Sequence, residues 1–325
     1  MKFLVTGGAG YIGSVMTKQL VEAGHEVTVL DNFTKGHHQA VLPQVKLVEG
    51  ELLNAQRLKE VFKDGFDGVL HFAALSLVGE SVTQPERYYR NNVVGTLNLL
   101  DAMREAGVKR LVFSSTAAVY GAPEETPILE TAQPRPTNPY GGSKLAVDQM
   151  IGFEAAAHGL AAVSLRYFNV AGASGELGEV HNPETHLIPL VLQAAAGSRE
   201  SVQIYGTDYP TPDGTAIRDY IHVEDLARAH ILALTHAQPG KHEIYNLGNG
   251  KGFSVREVIE TARQVTGKPI KAIETDRRAG DPPVLVASSE KAQRDLGWKP
   301  QKPELASMIA DAWNWLQAHP QGYHD

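Results

Sequence analysis

Of the 11 tyrosines in this 325-residue chain, only Tyr140 is followed four positions later by a lysine, Lys144. Asn138-Pro139 stands just ahead of it, an N-cap residue and a proline suited to the first helical position, which places both residues on the first turns of a helix reaching about His158. Four residues apart on a helix means one face. A free phenol titrates near ~10 and a neighbouring ammonium favours the phenolate, so this pair can act as a base near neutrality. Ser114-Ser115-Thr116 ends a β-branched run, and the Thr116 hydroxyl is a candidate bridge between a substrate and Tyr140 in proton transfer. Taken alone, Tyr140 and Lys144 read equally well as an exposed helical pair.

A second constellation lies at the start. Gly7-Gly8-Ala9-Gly10-Tyr11-Ile12-Gly13 follows a short apolar run and satisfies both Gly-x-Gly-x-x-Gly and Gly-x-x-Gly-x-x-Gly. Glycines there permit a tight turn and let backbone N–H groups approach a pyrophosphate at a helix N-terminus. Asp31, 18 residues after Gly13, closes the next β-branched run, where a carboxylate accepts hydrogen bonds from ribose hydroxyls. The same charge repels a 2′-phosphate and favours NAD over NADP, while Lys35, four residues on, keeps the phosphorylated cofactor open.

These residues need a frame. Short runs at Lys2 to Thr6, Glu26 to Leu30, Val45 to Val48, Gly68 to Phe72, Arg110 to Ser114 and Ala162 to Tyr167 read as strands, with helices at Tyr11 to Ala23 and Tyr88 to Ala106. Strand–helix alternation with right-handed crossovers implies an α/β fold, a doubly wound parallel Rossmann sheet whose carboxyl edge carries Ser114 to Thr116. Beyond Gly172 the rhythm gives way to loops, then to helices at Leu187 to Ala196, Val223 to Leu234, Val255 to Thr266 and Pro303 to Ala318. The expected division is a dinucleotide-binding domain over 1–172 and a smaller mixed α/β substrate lobe over 173–325, with the chain free to cross between them.

Composition narrows the class. Thirty basic against 37 acidic residues gives a net charge of −7, which argues against a broad nucleic-acid surface. The absence of cysteine removes disulfides, thiolate metal sites and cysteine nucleophiles together. No apolar run reaches the ~18 residues of a membrane-spanning helix and no signal-peptide pattern opens the chain, which reads as a cytoplasmic protein. The 13 histidines include His37-His38 and the pair His181 and His186, but neither spacing is the i, i+4 pairing of a helical zinc site, and no metal is expected.

The chain resembles the extended short-chain dehydrogenase/reductase family, and within it the UDP-glucose 4-epimerases, over nearly its whole length. The resemblance is carried by Thr6 to Ser14, Asp31-Asn-Phe33, His71-Phe-Ala-Ala74, Val78-Gly-Glu-Ser81, Asn91 to Thr96, Ser114 to Thr116, Val119-Tyr-Gly121, Tyr140-Gly-Gly-Ser-Lys144, Arg166-Tyr-Phe-Asn169, Arg218 to Val223 and Arg278-Ala-Gly-Asp281. It implies interconversion of UDP-glucose and UDP-galactose: Tyr140 takes the O4 proton, the C4 hydride passes to retained NAD, and the 4-keto sugar turns over before the hydride returns. It places Gly7, Gly10, Tyr11, Ile12 and Gly13 at the cofactor, with Asp31, Asn32, Phe33, Thr34, Lys35 and Gly36. Glu51, Leu52, Phe72, Ala73, Ala74, Leu75, Ser76, Asn91, Lys144 and Phe168 complete that site. Asn169, Gln203, Ile204, Tyr205 and Asp281 match positions that hold the nucleotide sugar, as do His186 and Leu187. Arg218 and Arg278 suit a diphosphate clamp, because guanidinium forks meet phosphate oxygens with charge assistance.

The match has departures. His186 stands where Asn is common, Ser76 replaces a Lys, Thr116 replaces Ser, and Glu51 stands where Asp is usual near adenine. Leu285 occupies a position where a bulky Tyr walls the pocket at the sugar C2 substituent, so its smaller side chain implies some UDP-N-acetylglucosamine/UDP-N-acetylgalactosamine exchange. The resemblance also implies a homodimer through Tyr88 to Ala106 and Tyr140 to His158. A 4,6-dehydratase would carry an acid after the strand-end hydroxyl, where Ala117-Ala118 stand instead. Another nucleotide-sugar epimerase, a dehydrogenase that releases its reduced cofactor and a dinucleotide-sensing regulator are the remaining alternatives, the last opposed by the intact Tyr140/Lys144 pair.

Overall fold

The computed structural model describes residues 1–278 and 281–323. Fourteen strands are present among them. Those of the first half are β1 (Lys2–Thr6), β2 (Glu26–Asp31), β3 (Lys46–Glu49), β4 (Gly68–His71), β5 (Arg110–Thr116) and β6 (Ala161–Tyr167). Then come β7 (Asn169–Ala171), β8 (Val202–Tyr205), β9 (Ile217–Arg218), β10 (Tyr220–His222), β11 (His242–Leu247), β12 (Phe253–Ser254), β13 (Ala272–Thr275) and β14 (Val284–Leu285). Seven of them form one parallel sheet in the order β11-β6-β5-β4-β1-β2-β3. The order reverses between β1 and β4, the switch point at which doubly wound sheets bind ligands. The expected fold class is therefore present.

Period-two alternation sorts the strands' side chains onto two faces. Phe3, Val5, Val112, Val163 and Leu165 pack on one side with the Tyr11–Glu22 and Val223–His236 helices. Leu4, Val69, Leu111 and Phe113 pack on the other, against Leu58, Leu99, Met103, Val147 and Ile151. Both faces are covered, as an all-parallel sheet requires.

The chain does cross back: β11 returns from the second half to pair with β6, aligning Tyr245 with Leu165 and Leu247 with Tyr167. Sequence reading placed no strand there. The pattern Glu243-Ile-Tyr-Asn-Leu247 is short and follows Gly240, and it becomes a strand because the β6 edge needs a partner. Small pairings β10-β7, β12-β9-β14 and β13-β8 build a second, smaller lobe around Ile188, Val191, Ile204, Val258, Met308 and Ile309.

Two helices position the chemistry. The Pro139–His158 helix has the expected limits; the Asn138 side chain accepts the Gly141 N–H at 2.9 Å, and Gly159 ends it in the left-handed region at φ +73°. The region expected as one helix from Tyr88 instead runs from Pro85 through a widened π turn at Tyr89–Val94 into an α-helix at Gly95–Glu105. Within that turn the Asn92 amide accepts from Leu75 N–H at 2.9 Å and donates to Leu75 O and Ser143 Oγ, both at 3.0 Å. The end of β4 is thereby tied to the helix bearing Tyr140. The last helix begins at Leu305 rather than Pro303, after an N-cap at Glu304.

Candidate functional site

A cleft of about 1190 Å³ runs along the carboxyl edge of the sheet and under the smaller lobe. That exceeds the ~300–1,000 Å³ of a pocket for one drug-sized ligand and leaves room for two molecules end to end. Its lining includes Gly7, Gly10, Tyr11, Ile12, Gly13, Asp31, Asn32, Thr34, Lys35, Gly36, Glu51 and Leu52. Further along lie Phe72, Ala73, Ala74, Leu75, Ser76, Asn91, Thr116, Tyr140, Lys144 and Phe168, and then Asn169, His186, Arg218, Arg278, Asp281 and Leu285.

Five expected residues are not brought to it. Phe33, at φ +55°, stacks on His38 at 3.6 Å between ring centroids. Leu187 begins a helix and packs on the lobe core, and Ile204 is buried inside that core. Gln203 accepts the Tyr205 hydroxyl, and the Tyr205 ring lies 3.9 Å beneath the Arg278 guanidinium. Tyr205 therefore acts on the cleft through Arg278. Ala279 and Gly280 of the Arg278–Asp281 motif lie outside the described residues.

The cofactor end fits a dinucleotide. A Cβ on Gly13 would sit 2.1 Å from the Gly7 carbonyl oxygen, and one on Gly7 would sit 2.6 Å from the Ala73 backbone nitrogen, so no side chain could occupy either place. No side chain caps the Tyr11–Glu22 helix, whose N-cap is Gly10, and its first-turn amides suit a pyrophosphate. Asp31 is held by N–H groups of Ala9 at 3.0 Å and Phe33 at 2.9 Å. Burial raises its pKa, and those backbone bonds offset only part of the rise. Lys35, the one feature favouring a 2′-phosphate, donates to the Asn182 carbonyl across the cleft.

At the centre, Lys144 is 3% exposed and its ammonium donates to Ser114 O at 2.7 Å while lying 4.7 Å over the Phe113 ring. Burial pulls its pKa down to about 7, against the opposing charge of Asp148. Burial raises the Tyr140 phenol, and a hydrogen bond with Thr116 lowers it. The Thr116 hydrogen bond is the local contact that favours the phenolate, while the ammonium is anchored at Ser114 O.

Sequence reading missed the support below. Asp148 Oδ2 accepts from Ser115 Oγ at 3.1 Å and from Arg166 Nε at 3.0 Å, and Arg166 donates to Tyr120 Oη at 3.0 Å. Tyr120 in turn donates to Asn246 Oδ1 at 2.7 Å. The signal was visible, since Asp148 lies one helical turn beyond Lys144 on the same face.

At the substrate end, Arg218 is paired with Asp281 at 2.8 Å, and Asn169 donates to Asp219 O at 2.9 Å. His186 engages Glu179 and Glu184, both at 2.9 Å. Burial opposes charge on that imidazole, but the two carboxylates outweigh it and push its pKa up to about 10. His181 contacts the same two acids. The helical spacing rule does not apply to an irregular loop, and chain closure brings together what sequence spacing separates. No helix among the described residues is long and apolar enough to cross a membrane.

Comparison with known proteins agrees with this geometry. The model of the NAD dependent epimerase/dehydratase family matches residues 3–248. A UDP-glucose 4-epimerase of Streptomyces lividans is 59% identical, the match covering 100% of this chain and 98% of that one. A crystal structure of UDP-glucose 4-epimerase superposes with a TM-score of 0.97 at 48% identity, covering 100% of both chains. The Bifidobacterium longum UDP-glucose 4-epimerase, solved in complex with NAD+ and UDP, has a TM-score of 0.93 at 40% identity, covering 99% of this chain and 100% of that one. The chain belongs to the NAD-dependent epimerase/dehydratase family, on its UDP-glucose 4-epimerase branch within the extended short-chain dehydrogenases/reductases.

Proposed function

We propose that this chain interconverts UDP-glucose and UDP-galactose, with Tyr140 as the base. The observation that carries the proposal is the single cleft in which Tyr140, Thr116 and Lys144 meet the glycine loop at one end and Arg218, Arg278 and Asp281 at the other. NAD, when bound, supplies the acceptor and later the donor of the C4 hydride. Thr116 passes the sugar O4 proton to Tyr140 or holds O4 against it, and Lys144 keeps a positive charge beside that proton transfer. The arginines hold the diphosphate, so binding energy comes from a part of the substrate remote from C4 and leaves the hexose free to turn. The protein, supplied with UDP-galactose and no added nicotinamide, yields UDP-glucose to equilibrium; accumulation of free NADH instead would favour a dehydrogenase.

Leu285 favours a second substrate pair. It lines the cleft from β14 and packs with Val119, Tyr120 and Phe168. A leucine there leaves more room beside C2 than a tyrosine would, and supplies no hydrogen bond for an acetamido group. UDP-N-acetylglucosamine is accordingly a slower substrate than UDP-glucose.

The working unit is a cytoplasmic homodimer. Tyr89, Val94 and Leu97 are exposed on one helical stretch and Phe153, 76% exposed, on the Pro139–His158 helix, the two segments expected to pair in an isologous four-helix contact. Light scattering at micromolar protein tests this, and a monomer mass refutes it.

A further inference from the structure

Four side chains with metal-binding chemistry gather on the irregular segment before the Leu187–Ala196 helix. Glu179, His181, Glu184 and His186 each offer one donor atom, and these atoms all lie within 4.8 Å of one another. His186 Nδ1 is 2.9 Å from Glu179 Oε1 and 2.9 Å from Glu184 Oε1. His181 Nδ1 is 3.0 Å from Glu179 Oε1 and 3.8 Å from Glu184 Oε2. Nitrogen and oxygen ligands at ~2.0–2.2 Å from a tetrahedral zinc stand roughly 3.4 Å apart, so the four donors need only open slightly from their 2.9–3.0 Å ion-pair contacts to surround one ion.

Two details favour a cation over a plain ion-pair cluster. His181 Nδ1 is buried and, in spite of its short approach to Glu179, makes no properly directed hydrogen bond. The nitrogen is thus committed to neither acid by a directed bond and is available to an ion placed between them. Glu184 is also aimed beforehand, its Oε1 accepting the N–H groups of Thr185 at 2.7 Å and His186 at 2.8 Å, an outer shell of the kind that orients metal ligands.

We propose that Glu179, His181, Glu184 and His186 bind one divalent transition cation, zinc by ligand chemistry, which fixes this segment over the cleft. Two imidazoles select zinc-like ions over magnesium or calcium, and two carboxylates balance the charge. Four protein ligands leave no open position, so the site is structural. Its reach into function is positional: Glu179, His181, Asn182 and His186 line the cleft, and Lys35 already ties Asn182 to the cofactor side.

The test uses tag-free full-length protein, stripped with EDTA and titrated with Zn2+ against a chromophoric chelator, and separately with Co2+. One zinc per chain is expected, and Co2+ should give the intense visible bands of a tetrahedral site. His181→Ala and Glu179→Gln should each weaken zinc binding at least about tenfold, with circular dichroism in EDTA matching wild type. Zinc should raise the melting temperature of wild type and leave that of His181→Ala unchanged. Uptake well below one zinc per chain overturns the proposal. So does equal uptake by both variants, which would move binding to other histidines and leave Glu179–His186 an ion-pair cluster. Should His181→Ala fail to fold, His181→Gln with the same titration decides.

Discussion

The two ends of the cleft are built differently. At the sheet edge every group sits on, or one residue from, a regular element: Thr116 ends β5, Tyr140 and Lys144 ride the first turns of a capped helix, and Asp148 and Arg166 brace them from below. At the substrate end the groups come from two-residue strands and loops and are held by one another, Arg218 by Asp281, Arg278 by the Tyr205 ring, His186 by Glu179 and Glu184. Regular backbone converts spacing into position, whereas a loop side chain is placed by whichever partner closes on it. Chemistry should therefore fail sharply when the first end is altered, and selectivity should drift when the second is.

The largest expected effect tests the first half of that statement. Tyr140→Phe removes the proton acceptor and leaves the arginines intact, so turnover should fall by about 10²–10⁴-fold while UDP binding is retained. Initial rates and UDP titration check it together. A variant keeping a tenth of wild-type turnover would displace Tyr140 from the role of base.

Next in size is the brace. Asp148 and Arg166 are both almost fully buried and paired at 2.9 Å, so Asp148→Asn leaves a buried guanidinium without its counter-charge, at a cost of about 3–5 kcal/mol in denaturant unfolding. It also acts on Lys144. The Asp148 carboxylate holds the lysine pKa up against burial, so its removal drops that pKa below about 7. An amine with a lower pKa loses its charge earlier as pH rises, and the alkaline limb of the pH–rate profile should move to lower pH. Loss of stability with an unmoved limb would make Asp148 purely structural.

Legibility follows the same division. The seven-residue span Gly7 to Gly13, the carboxylate at Asp31 and the Tyr140/Lys144 pair could be read because strand and helix periodicity fixed their neighbours in advance. β11 could not, since its pairing with β6 is settled about 80 residues away in sequence, His242 against Ala162 and Leu247 against Tyr167. The π turn at Tyr89–Val94 was hidden because one extra residue per turn leaves the apolar pattern nearly unchanged. The resemblance puts Gln203, Ile204 and Tyr205 together at the nucleotide sugar; in a strand, alternate residues face opposite ways, and Ile204 goes to the core. The His181/His186 gathering depends wholly on loop closure.

Selectivity tests the second half of the comparison. Leu285→Tyr fills the space beside C2 and should cut UDP-N-acetylglucosamine turnover by roughly 10–100-fold, with UDP-galactose changed less than about threefold. Competition assays with both substrates present read that ratio directly. Equal loss on both sugars would mean that β14 supports the cleft as a whole rather than its C2 wall.

The smallest effect sharpens the contrast most, because it compares two helix caps in the two lobes. The Asn138 side chain caps the helix that carries Tyr140, and Ser254 caps the Val255–Thr266 helix of the substrate lobe, in a capping box with Glu257. Replacing either by alanine removes one N-terminal bond, and at Ser254 also the hydroxyl's bond to Asp213, and should cost about 1 kcal/mol, a shift of roughly 2 °C in melting temperature. Their consequences for turnover should differ. Without its cap the first turn of the Pro139–His158 helix frays, and Tyr140 lies on that turn, so Asn138→Ala should lower kcat several-fold with KM little changed. Ser254→Ala frays the start of a helix whose buried Val258, Ile259 and Ala262 pack in the lobe core, and kcat should stay within experimental error of wild type. Calorimetry and steady-state kinetics on the two variants decide the matter: matched losses of stability with matched kinetics would show that the regular frame at the sheet edge does not govern the position of the base.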